Sequence, residues 1–185
     1  PSEHRAEVWW SVLGCEARQR KMPDAYKQCL GEDLVPRTKE EIERDLTRTF
    51  PNNSIFRSEA GRSKLRNVLH AYACYTPRVL YCQGLNFIAG LLLLVFLDEE
   101  RAFWALVCAI DSLGVEGYYS EGMTLLRADL RVLAEVLAQK CPKVSRQLRE
   151  QEVELTPICS GWFITWYAKC LPLHTVLRVW DTLFF

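Results

Sequence analysis

The sequence predicts an all-α fold built as a single domain, and three observations carry that expectation. Apolar residues recur at i, i+3, i+4 and i+7 almost throughout the 185 residues. No stretch alternates apolar and polar residues long enough to make a sheet, and no internal period repeats. The breaks between periodic segments are short, apart from residues 51–58 and 113–120. A chain of this length buries roughly two-thirds of its unfolded surface, so it needs no disulfide or metal staple.

The elements follow in order. Residues 7–13 are a short aromatic-rich segment stopped by Gly14. Residues 22–30 have Pro23 near the start and Gly31 just after, the usual asymmetry of a helix. Thr38 and Glu41 have the spacing of a capping box that opens a helix running to about residue 49, where Pro51-Asn52-Asn53 stops it. Leu65, Val68, Leu69, Tyr72 and Ala73 mark a longer helix ending before Pro77. Residues 85–97 are the longest apolar run, interrupted by Asn86 and Gly90; about 20 residues are needed to cross a bilayer, so this run predicts a buried core helix. Asp98 caps the next, with Ala102, Phe103, Leu106, Val107 and Ile110 inward. Leu126, Leu130, Leu133 and Leu137 repeat the pattern up to Cys141-Pro142, and Val144 and Leu148 mark a short helix. Thr156-Pro157 opens a helix carrying Trp162, Phe163 and Trp166, and Pro172 starts the last, with Val176, Leu177, Trp180 and Leu183. The chain stops on Leu183-Phe184-Phe185 inside an apolar helix, which predicts a domain continuing beyond this C-terminus.

Composition narrows the function by exclusion. With 23 Lys+Arg against 23 Asp+Glu, the chain carries no net charge, which argues against a dedicated nucleic-acid or polyanion binder. At 49% hydrophobic residues it is not a disordered chain. The eight cysteines include no C-x-x-C half-site, most lie in apolar runs, and there is no signal peptide; a reducing, cytoplasmic setting is expected. The six tryptophans, Trp9, Trp10, Trp104, Trp162, Trp166 and Trp180, fall on helical apolar stripes and are expected in the core rather than on a base-stacking surface. Arg5 shares a helix face with Trp9, and Asp181 is expected to pair with Arg178 or to cap.

Two places could carry chemistry. In the capped helix, Ile42, Leu46 and Thr49 share a narrow inward stripe, and Asp45 and Arg48 lie at its edge as i, i+3 neighbours. Asp45 would hold the guanidinium of Arg48 in a fixed direction where the helix breaks. The plain alternative is a solvated surface ion pair. The second place is Tyr81-Cys82-Gln83-Gly84-Leu85-Asn86, at the mouth of the most apolar helix, where Gln83 would present a hydrogen-bonding amide. Its plain alternative is a helix start with Gln83 wet and Tyr81 half-buried. Cys82 has no base nearby to make it a nucleophile. Arg57, Arg62, Lys64 and Arg66 form a basic cluster that is either a solvated face or a contact for acidic loops.

Taken together, Ile42-x-x-Asp45-x-x-Arg48 followed by Tyr81-x-Gln83 resembles the paired signature of the TBC domain, the GTPase-activating domain for Rab-type small GTPases. Arg5-x-x-x-Trp9, Arg48-Thr49-Phe50-Pro51 and Tyr81-Cys82-Gln83-Gly84 resemble its fuller wording. Ser160-Gly161-Trp162-Phe163 and Leu171-Pro172 through Arg178-Val179-Trp180-Asp181 resemble its third block. The matches run in order across residues 1–185, and within the family the chain resembles the short growth-hormone-regulated type.

The resemblance implies an all-α TBC-type domain, incomplete at its C-terminal end. It implies Arg48 as an arginine finger and Gln83 as a second finger orienting the attacking water, with Asp45 and Tyr81 in support. A finger supplied in trans is worth about 10³ to 10⁵ in rate. The implied partner is a Rab-family GTPase in its GTP-bound form, which carries the GTP and Mg²⁺. The chain would need no cofactor or metal of its own, have no independent hydrolase activity, bind no nucleic acid and insert in no membrane, reaching membranes only through its partner. An idle TBC-type scaffold that binds a GTPase or another protein is the alternative, and the presence of both fingers favours activity.

Overall fold

The computed structural model describes residues 2–79 and 81–185. Among the described residues there are twelve α-helices and no β-strand. The helices are α1 (Arg5–Val12), α2 (Cys15–Lys21), α3 (Ala25–Gly31), α4 (Pro36–Leu46), α5 (Ser54–Arg57) and α6 (Glu59–Tyr75). They continue as α7 (Leu85–Phe96), α8 (Glu99–Leu113), α9 (Thr124–Lys140), α10 (Pro142–Glu150), α11 (Leu155–Ile164) and α12 (Leu173–Leu183). No helix is long and apolar enough to cross a membrane among the described residues.

The centre is α7. Residues 85–93 are buried all round, as a run of Leu, Ile, Phe and Ala must be to escape water. Each fully buried Leu or Ile here contributes about 1.5–3 kcal/mol. Helices α6 and α8 pack on α7 and on each other, α3 lies on α6, and α4 spans α6 and α7. Helices α9, α10 and α11 form a second group, joined through α9. Its Leu126 and Leu130 are buried, and Leu133 is packed against the core.

Local starts and stops explain most boundaries. The Asp98 carboxylate accepts from the Arg101 N–H at 2.8 Å and caps α8, as its position before the apolar run predicts. The structure corrects the capping box at Thr38: α4 begins two residues earlier, with Pro36 in its first turn, and Thr38 is a buried residue inside it. Proline at that point has no N–H to satisfy and is already set to the helical φ, so it displaces Thr38 as the start. Helix α4 also stops at Leu46, leaving Arg48 in the turn that follows. Helix α2, rich in charge, and the one-turn α5 carry too little apolar period to be read in advance. Trp166 lies just past the end of α11.

The two ends of the described chain meet. Trp9, Trp166, Trp180 and Phe184 form one aromatic cluster, with Trp9 and Phe184 edge to face at 4.9 Å between ring centres. The Trp180 indole N–H donates to the Trp166 carbonyl at 2.8 Å. Asp181 pairs with Arg5, not with Arg178: the Arg5 guanidinium donates to both carboxylate oxygens, at 2.8 and 2.9 Å, and the Trp9 indole donates to one of them at 3.0 Å. Three donors converge on Asp181 across the chain, two of them from the fork of one guanidinium, which is the strong form of such a pair.

Candidate functional site

The turn after α4 and the loop before α7 are held together at one point on the surface. Ile42 and Leu46 carry α4 onto the core, and this sinks Asp45, at the edge of their stripe, until only 3% of its side chain is exposed. One carboxylate oxygen of Asp45 forms an ion pair with the Arg48 guanidinium; the other accepts from the Tyr81 hydroxyl at 2.5 Å. Arg48 itself remains 48% exposed. The pair is therefore no solvated surface bridge: its anion is buried and doubly engaged, its cation open to a partner. Burial, followed by the bond to Asp45, pushes the Tyr81 phenol well above its ordinary range, so it stays protonated and donating.

Tyr81 is buried rather than half-buried, and its hydroxyl serves the carboxylate behind Arg48 rather than Gln83. Gln83 is exposed, and its side-chain amide makes no hydrogen bond among the described residues. Cys82, between them, has its thiol pushed up to about 11, first by burial and then by the charges of Glu41 and Asp45. A thiol held protonated is no nucleophile.

Two residues not anticipated as part of the site complete it. Thr49 and Asn86 are both fully buried. The Thr49 hydroxyl donates to the Asp45 carbonyl at 2.7 Å and accepts from the Asn86 amide nitrogen at 2.7 Å. The Asn86 amide oxygen accepts from the Gly84 N–H at 3.0 Å. In the sequence Thr49 showed only as an inward position at the helix end, and Asn86 only as the last residue of the second candidate segment and an interruption in an apolar run.

Two glycines make the approach possible. At Gly90 a Cβ would meet the Thr49 methyl at 3.0 Å and the Phe50 ring at 3.1 Å, so its absence lets the turn after Arg48 lie directly on α7. Gly84 has φ +118 and a Cβ there would sit 2.9 Å from the Ile164 carbonyl. Phe50, which follows, adopts a left-handed φ of 43, a strained state for a bulky residue at roughly 1–3 kcal/mol. Its ring packs against Phe56 and edge-on against Phe87, which holds it there. Phe50, Pro51, Phe87, Lys169, Leu171 and Leu173 line a shallow apolar hollow of about 260 Å³ beside the site.

The basic cluster is partly neutralised from within. Arg62 pairs with Glu59 at 2.9 Å, and Arg66 pairs with Glu43 and Glu59. Among the described residues Arg57 and Lys64 are left without a carboxylate partner. No group of three or more His, Cys, Asp and Glu among the described residues is arranged to hold a metal, and all eight cysteines are free thiols.

The site thus sets a carboxylate-held arginine and an exposed glutamine on two loops linked by hydrogen bonds within an all-helical domain. The model of the Rab-GTPase-TBC domain family matches residues 2–185, and the chain belongs to that family. It is 40% identical to Growth hormone-regulated TBC protein 1-A of Danio rerio and 41% identical to Growth hormone-regulated TBC protein 1 of Homo sapiens. Each match includes 100% of this chain but 52% and 55% of those relatives, so the chain spans about half their length. TBC1 domain family member 2A of Mus musculus is 38% identical over 98% of the chain and 20% of its own length. Among solved structures, the Chlamydomonas flagellar RabGAP TBC domain superposes with a TM-score of 0.88 at 30% identity, covering 100% of this chain and 61% of that one. The Ypt/Rab-GAP domain of Gyp1p has the same fold, at a TM-score of 0.86 and 19% identity, covering 100% of this chain and 70% of that one.

Proposed function

We propose that this chain is a GTPase-activating domain that accelerates GTP hydrolysis by a Rab-family GTPase in trans, through Arg48 and Gln83. One observation carries the reading: Arg48, exposed, is fixed by a buried carboxylate, and that carboxylate is bonded to Tyr81, two residues before the free amide of Gln83. Phosphoryl transfer places charge on the transferred group and the leaving oxygen, so a catalyst mainly positions and neutralises. The Arg48 guanidinium offers planar donors to phosphate oxygens, and Asp45 behind it fixes its direction. The Gln83 amide both donates and accepts, as orienting an attacking water requires. GTP and Mg²⁺ belong to the partner in its GTP-bound form. The names of the matching family and of the solved relatives support a Rab partner. Residues 1–185 are read as part of one such domain, working in the cytoplasm and meeting membranes through the partner.

The test is single-turnover GTP hydrolysis across a panel of GTP-loaded Rab proteins, with and without the chain. Acceleration of at least one is expected. Arg48→Ala and Gln83→Ala should each cut it by about 10²-fold or more while leaving the melting temperature nearly unchanged. A folded chain that binds a GTP-loaded Rab without accelerating hydrolysis would replace this reading with that of a TBC-type scaffold.

A further inference from the structure

We infer that Thr49 and Asn86 form a buried brace that fixes Gln83 relative to Arg48, making both of them positioning residues for the reaction proposed above. Thr49 directly follows Arg48, and Gly84 directly follows Gln83. Between them runs an unbroken set of hydrogen bonds, Gly84 N–H to Asn86 Oδ1, Asn86 Nδ2 to Thr49 Oγ1, and Thr49 Oγ1 to the Asp45 carbonyl, at 3.0, 2.7 and 2.7 Å.

The direction of every bond is forced. A carbonyl only accepts, so the Thr49 hydroxyl spends its single proton on Asp45 and has only lone pairs to offer Asn86. Asn86 must then present its NH₂ to Thr49, which leaves Oδ1 facing the Gly84 N–H. Both ends of each side chain are used, and both residues are fully buried. A brace with one possible proton arrangement holds its two loops in one relative position.

Capping alone does not explain the arrangement. The Gly84–Asn86 bond satisfies one N–H at the start of α7 without help from Thr49; the bond to Thr49 adds nothing to that helix. A leucine in place of Asn86 would continue the apolar run and bury more surface, so a buried amide at this point gives up hydrophobic stabilisation. What it links are the two loops that carry Arg48 and Gln83. The other walls agree: Ile164 stops Gly84 from retreating, and the bare Gly90 lets Thr49 close on α7.

The kinetic part of the inference rests on the proposed GTPase activation, so its test has two arms. In the first, single-turnover hydrolysis by an accelerated Rab is measured at saturating chain. Thr49→Val and Asn86→Ala should each lower the maximal rate about 10- to 100-fold with a much smaller change in half-saturating concentration. Thr49→Ser, which keeps the hydroxyl, should restore it. In a Gln83→Ala background, Asn86→Ala should have little further effect, because a group that is absent needs no positioning. An equal loss in both backgrounds, or Thr49→Val behaving as Thr49→Ser, overturns the positioning role.

The second arm needs no activity. Amide hydrogen exchange at Gly84 should be about tenfold or more faster in Thr49→Val than in the parent chain and Thr49→Ser, although the Gly84 N–H bonds to Asn86 and not to Thr49. Unchanged protection of Gly84 overturns the brace, whatever the hydrolysis assay shows. If the parent chain accelerates no Rab, the proposed function fails, while faster Gly84 exchange in Thr49→Val still establishes the mechanical link.

Discussion

Asp45 is the residue on which the site turns. Its carboxylate is buried, faces Arg48 with one oxygen and Tyr81 with the other, and its own carbonyl receives Thr49. Removing one donor from so enclosed an anion leaves part of its charge unsatisfied. Tyr81→Phe is therefore expected to cost about 1–3 kcal/mol of stability, read as a lower urea midpoint at unchanged slope. A midpoint equal to that of the parent chain would show that water replaces the hydroxyl. The Asp45–Arg48 pair was legible in the sequence because i, i+3 spacing is local. The burial of its anion and its bond to Tyr81 were not, because Tyr81 lies 36 residues away and only packing brings it in. Thr49 and Asn86 illustrate the same limit: one looked like a helix end, the other like an interruption in an apolar run. Only their contact gives either a role.

At the scale of elements, the loop before α7 has the narrowest tolerance. Gly84 stands where φ is +118 and the Ile164 carbonyl lies 2.9 Å from any added Cβ. Gly84→Ala combines backbone strain with a clash against main chain, so a loss of about 2–4 kcal/mol is expected. It should be measured by thermal unfolding, with Gly161→Ala, which meets nothing within 4 Å and has no positive φ, as the control expected to change little. Equal stability in the two variants would mean that the α11 end moves aside. The long helices were readable because their apolar stripes persist for several turns and Asp98 announces α8. Starts set by competition were not: at α4 the ring of Pro36 prevailed over the side chain of Thr38, and both were visible. Helix α2 forms because α1 and α8 pack against it, not because its own sequence is periodic.

Over the whole molecule, the decisive closure joins α1 to α12. Arg5 holds the Asp181 carboxyl below its usual range, and the Trp9 indole assists. A carboxylate with a folded pKa depressed below its unfolded value of about 3.9 adds stability that is present above that pH and is lost as pH falls toward the folded pKa. Asp181→Asn should therefore narrow the stability gap to the parent chain as pH drops from about 5 to below 4, as followed by urea unfolding at each pH. A gap constant across that range would assign the contribution of Asp181 to packing alone. The expectation that Arg178 would be the partner came from proximity in sequence, the one kind of proximity a linear reading can weigh. Arg5 is 176 residues distant.

That closure also imposes an order in time. On a ribosome, Trp180, Asp181 and Phe184, which cover one side of Trp9, are made roughly 170 residues after it. At about 5–20 residues per second, this side of α1 stays uncovered for roughly ten to thirty seconds in every newly made copy. The residues that tie the loops bearing Arg48 and Gln83 together, in contrast, are all made by Gly90, although Ile164, which backs Gly84, comes later. The nascent chain thus holds both hydrogen-bonded loops long before it can shield Trp9. The interval in which it most needs protection from other chains is set by the distance from Trp9 to α12.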